Sequence, residues 1–185
     1  MSALLISGLR RPLTLGLGDP TAAPPADLPD DLVEALIARW RSWIAQGTPD
    51  DDVADLAQTA DNGVWIAEAP TSAPLPVAVV DELSRVLDAE TFDRRSTGHT
   101  RVYTGRIQLR VHDASRAAAR RAALAIATDW ESATAAGLIL FDEGTLIDFG
   151  RSGPLLSPID PDLGEDGQPV WTALIEFYFL LVETT

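Results

Sequence analysis

Apolar residues recur at helical spacing in the segment that opens at Asp30, DDLVEALIARWRSWIAQG, where Leu32, Val33, Leu36, Ile37, Trp40, Trp43 and Ile44 share one side. Acids in the first turn, a capping aspartate and Gly47 as a stop complete the pattern of an amphipathic helix. A weaker helical turn is expected around DDDVADLAQTA. GVWIAEAP and LPVAVVDE then predict two short strands joined by a Pro/Ser/Ala turn. Residues 83 to 99, which include the polar DRRSTGH, are expected to form a long loop between strands.

From Val102 to His112 the period changes to two. Tyr103, Ile107, Leu109 and Val111 fall on one face while Arg106, Gln108 and Arg110 fall on the other, the pattern of a half-exposed strand. Asp113 is the expected cap of the alanine-rich helix ASRAAARRAALAIATDWESATAA, which Gly137 ends. Three further strands are expected at 138–141, 145–150 and 170–183, with an irregular acidic connection at 151–169. This order predicts an α+β fold, a mainly antiparallel sheet with two main helices packed on one face. Residues 1–29, ending in GDPTAAPPADLPD, are expected to be an extended arm or linker, with 30–185 a single domain. The arm's apolar tip, Leu4, Leu5 and Ile6, is expected to dock on a surface.

Charge changes this picture more than composition does. The chain of 185 residues carries a net charge of −14, has no cysteine, and all 14 of its cationic side chains are arginine. The absence of lysine fits GC-rich coding without a functional demand for guanidinium. No cysteine means no disulfide framework and no cysteine-based zinc site. Eight arginines, Arg94, Arg95, Arg101, Arg106, Arg110, Arg116, Arg120 and Arg121, stand in one stretch against the single carboxylate Asp113, and the rest of the chain holds 27 acids against six bases. Such an acid excess argues against a protein whose main task is gripping duplex nucleic acid, where affinity comes from neutralising phosphates. The cationic stretch reads either as solvated residues on a half-exposed strand or as a docking surface for an acidic neighbour.

Little in the sequence points to catalysis. His99 and His112 lack metal-ligand spacing and are expected to be solvated residues of a loop and a strand end. DPDLGEDG alternates Asp160, Asp162 and Asp166, but Glu165 and Trp171 occupy the places where a calcium loop needs glycine and glutamate. The DDD at 50–52 is explained by the helix dipole. No G-x-S-x-G context or phosphate loop is present, so no catalytic, cofactor-binding or metal-binding residue is named, and no cofactor is expected. Neither the N-terminal MSALLISGLRRPLTLGLG nor the C-terminal VWTALIEFYFLLVETT has the length and flanks of a membrane span, so no membrane partner is expected.

The ordered set formed by the amphipathic first helix, GVWIAEAPTSAPLPVAVV, RIQLRVHDASRAAARRAALAIATDW and the closing strand VWTALIEFYFLLVET resembles the tail terminator proteins of long-tailed bacteriophages and prophages, also described as minor capsid or tail completion proteins. The resemblance covers roughly residues 31 to 183, while the arm 1–29 and the loop 151–169 depart from it. It implies a non-enzymatic virion protein at the tail-head junction, assembled in the host cytoplasm. Such a protein forms a homo-oligomeric ring, typically a hexamer, that caps the tail tube protein, meets a head-tail connector or stopper protein, and lets DNA pass without sequence-specific binding. On that resemblance the eight arginines are subunit or tail-tube contacts. Another neck component, such as a head completion or connector protein, is the alternative within assembly. A small-ligand-binding α+β protein or hydrolase, or nucleic-acid binding by the basic strand, are alternatives of other classes.

Overall fold

Asp31 begins the first helix. Its Oδ1 accepts from the Glu34 amide at 2.8 Å, and the Glu34 carboxylate accepts in return from the Asp30 amide at 3.1 Å, so two amides at the helix start are satisfied. Helix α1 (Leu32–Ala45) buries Leu32, Val33, Ala35, Leu36, Ile37 and Trp40, the stripe that the apolar spacing specified. The structure is a computed structural model that describes residues 28–45, 53–57, 63–69, 73–92, 99–158, 161–164 and 167–184. Most of the arm, residues 1–27, therefore lies outside the described residues.

The single turn α2 (Ala54–Ala57) follows, and then the strands β1 (Val64–Ile66), β2 (Val77–Phe92) and β3 (His99–Asp113). After helix α3 (Arg116–Ala135) come β4 (Thr145–Arg151), the two-residue β5 (Asp162–Leu163) and β6 (Pro169–Thr184). The sheet order is β1-β2-β3-β6-β4, with β5 on the flank of β6. Among the described residues only the β1–β2 pair is parallel, and the other strand pairs are antiparallel. The α+β class and its mainly antiparallel sheet are thus as the pattern predicts.

Three local expectations are corrected. The segment 83–99 is not one long loop: β2 runs to Phe92 and pairs with β3 from His99 on, because bulges at Leu83 and Asp88 break the period of two without ending the ladder. The apolar residues 138–141 form no strand. Ile139 and Phe141 are buried and Leu138 and Leu140 exposed, as in a strand, but the next amides, Asp142 and Glu143, donate to the carbonyls of Pro29 and Asp30. The cap of α3 is Ser115, whose hydroxyl accepts from the Ala118 amide, while Asp113 Oδ1 accepts from the Ser115 amide at 2.7 Å and shapes the turn before it. At the other end Gly137, at φ +68°, closes a Schellman motif in which Leu138 N–H donates to Ala133 O and Gly137 N–H to Thr134 O, both at 2.9 Å.

Both long helices lie on one face of the sheet. Ala78 and Val80 of β2, Ile107, Leu109 and Val111 of β3, and alternate residues Ala173 to Leu181 of β6 join the buried sides of α1 and α3 in one core. Alanines on the buried side of α3 let it approach the strands closely, and Trp130 fills the remaining depth against Phe177, which stacks on Phe149 at 4.9 Å between ring centres. A guanidinium fork joins the helices: Arg39 Nε donates to Asp129 at 3.0 Å, with the second contact at 2.5 Å.

Candidate functional site

Alternation along β3 decides where its arginines go. Arg101 has odd parity and points to the helix-covered side, where it pairs with Glu90 at 2.9 Å and lies 3.7 Å from Glu183. Arg106 and Arg110 have even parity and lie on the opposite face. There Arg106 is exposed with Glu176 3.7 Å away, and Arg110 pairs with Asp81 and donates to the Ala67 carbonyl at 3.2 Å. Arg116 of α3 is half-buried. It donates to Ser157 through the carbonyl at 3.1 Å and lies 5.8 Å from the Trp171 ring centre, which ties the segment after β4 to the helix. Arg120 and Arg121 are exposed on the outside of α3, and Arg94 and Arg95 lie outside the described residues. Of those eight, the six that are described therefore occupy three surfaces, and Arg101, Arg106, Arg110 and Arg116 among them already hold partners within the chain.

Arg85 carries no comparable signal in the sequence. The bulge at Leu83 turns it toward the helix-covered side, where it pairs with Glu82 at 2.7 Å and with Glu143, and sits 5.9 Å from the Phe179 ring centre. The hydrogen bonds it donates to Glu82, opposed by burial and joined by those to Glu143, hold its proton more firmly than usual.

The opposite face of the sheet carries neither main helix. Beyond Asp81 it presents Val86 at 58% exposure, Tyr178 at 40%, and half-buried Val102, Leu180 and Val182. A groove of about 450 Å³ crosses it, lined by Val86, Thr104, Arg106, Asp148, Tyr178 and Leu180. Asp148 lies 3.4 Å from the Tyr178 hydroxyl, and its negative charge, followed by burial, raises the pKa of that phenol. At the two edges, Leu83 of β2 is 48% exposed and Ile147 of β4 56%, each at a bulge. Past Val80, β2 has no outer neighbour among the described strands. Exposed apolar side chains thus lie on the face and at both open edges of the sheet.

The two histidines differ from expectation. Both are half-buried: the His112 Nδ1 is 3.0 Å from Thr172 Oγ1, and its pKa is lowered by burial and by Arg110, against an opposing pull from Asp162. Burial raises Glu131, but hydrogen bonds from Arg151 outweigh it and leave that carboxyl below its ordinary range. Among the described residues no group of three or more His, Cys, Asp or Glu side chains is placed to hold a metal ion. Asp160 and Asp166 of the acidic loop lie outside the described residues, and Asp162 is exposed in β5. No described helix is long and apolar enough to cross a membrane.

No protein-family model and no curated protein matches the chain. Among solved structures, it is similar to a chain of the virion of a native gene transfer agent particle, with 19% identity over 81% of this chain and 93% of that chain and a TM-score of 0.47. A likeness of that degree carries no argument about function.

Proposed function

We propose that this chain is a virion assembly protein of the tail terminator kind, a homo-oligomeric ring of about six copies that ends the tail tube and offers a surface for joining the head. The observation that carries the reading is the open side of the sheet with its exposed apolar residues and two unpaired edges, opposite a buried apolar core. A ring gives that surface an occupant in every copy, whereas a monomer leaves it in water. The order of elements that carries the sequence resemblance supports the same reading. The partners would be further copies of the chain, the tail tube protein and a head-tail connector or stopper protein. The acid excess of the chain suits a channel through which DNA passes without adhering. The protein would assemble in the host cytoplasm and reside in the virion at the tail-head junction.

Native mass spectrometry across a concentration series, with negative-stain imaging of the protein alone and with tail tubes, tests the proposal. The expected result is a closed ring, alone or at tube ends. A monomer in both settings overturns it.

A further inference from the structure

The outer side of α3 and the open face of the sheet lie on opposite sides of the molecule, so one copy cannot bring them together. α3 turns Ala119, Ala123, Ile126 and Trp130 to the core and leaves Arg120, Arg121 and Leu124 exposed. On the far side, the groove between Val86 and Tyr178 has Leu180 in it and the carboxylate of Asp148 at its rim. Neither Arg120 nor Asp148 has an ion-pair partner among the described residues, in a chain where Arg39, Arg85, Arg101, Arg110 and Arg151 all do.

We propose that a second copy of the chain seats the outer side of its α3 on the open sheet face, with Leu124 in the groove and Arg120 against Asp148, head to tail. The spacing allows both contacts at once. Leu124 and Arg120 are about one helical turn apart, ~6 Å along the axis, and Leu180 and Asp148 are directly paired across β6 and β4, ~5 Å apart. An apolar residue and a cation on a helix thus meet an apolar residue and an acid on a sheet in matching register. Because the two surfaces differ, the contact is heterologous: each copy offers one of each, and repetition closes a ring or grows a filament. Unlike charges at the contact set which face meets which, and the like-charge alternatives are penalised. This inference rests on the ring reading and deepens it by naming the two faces that meet.

Charge exchange between copies tests it. Full-length Arg120→Glu and Asp148→Arg proteins are each measured by native mass spectrometry and sedimentation beside the wild type, then mixed. Each variant alone should need at least about tenfold more protein to assemble. Mixed in equal amounts, they should recover assembly with alternating composition, because every contact is then either Arg120 with Asp148 or the reversed pair. Recovery also shows that both variants are folded. Wild-type assembly with variants that assemble equally well, or that stay apart even when mixed, overturns this contact and leaves the ring reading standing. A wild type that remains monomeric alone and on tail tubes overturns both.

Discussion

Gly105 sits in the middle of β3, at a position where the ladder gives no reason for glycine, and replacing it with alanine is a sharp test of the packing. An added Cβ would lie 2.6 Å from Phe179 Cε1 and closer still to Phe179 Cζ and to the Ser84 carbonyl oxygen. Ordinary contact begins at 3.4 Å, so Cε1 alone must retreat by about 0.8 Å and Cζ by more. The ring has little room to do so, with Arg85 on it and the core around it. The Ser84 carbonyl is backbone beside the bulge at Leu83 and yields less easily than a side chain. Overpacking of this kind costs ~1–3 kcal/mol, and with strain on the β2–β3 ladder we expect Gly105→Ala to cost about 2–4 kcal/mol. For a chain of this size that lowers the thermal midpoint by roughly 5–15 °C. Without the steric conflict the sign reverses, since Gly→Ala at an unstrained site stabilises by ~0.4–1 kcal/mol through the unfolded chain. Gly153 is the internal control: nothing lies within 4 Å of its added Cβ, and Gly153→Ala should be neutral to stabilising, by no more than ~1 kcal/mol. Chemical denaturation and scanning calorimetry read both. A Gly105→Ala protein as stable as Gly153→Ala would mean that the ring of Phe179 does not occupy the space above the glycine.

Two further predictions concern the forces that hold the helices and the sheet. Arg39→Met removes both hydrogen bonds to a carboxylate that is only 12% exposed; it should cost ~1–3 kcal/mol in urea unfolding, and much less in an Asp129→Asn background, where additivity would show that the pair is not coupled. His112 has a folded pKa below its unfolded value, chiefly from burial, so its stabilisation is complete above about pH 6.5 and is lost as pH falls through the lower folded value. Denaturation at pH 7.5, 6.5 and 5.5 should therefore show wild type losing more stability than His112→Gln across that window; parallel curves would remove the histidine as the cause.

Elements with one unbroken period were legible from residues alone. Helical spacing placed α1, alternation from Tyr103 to Val111 placed β3, and Gly137 placed the end of α3, because each depends on chain geometry within a few residues. The sequence also showed that cations cluster between Arg94 and Arg121, and that the closing strand is apolar on both sides. What it did not reveal depends on partners distant in the chain. The bulges that carry β2 through a polar segment exist because β3 continues to pair with it. Residues 138–141 alternate like a strand yet form none, since the amides that follow them bond to the backbone before α1. The arginines that are neighbours in sequence were separated by parity: one residue's shift along a strand moves a side chain to the other face, and the face covered by α3 is settled only when the helix packs. Local periodicity thus determined which elements form and which of their sides are apolar, while the tertiary fold alone decided which sheet face stays open and which charges remain for another molecule, because both depend on which distant surfaces the core has already buried.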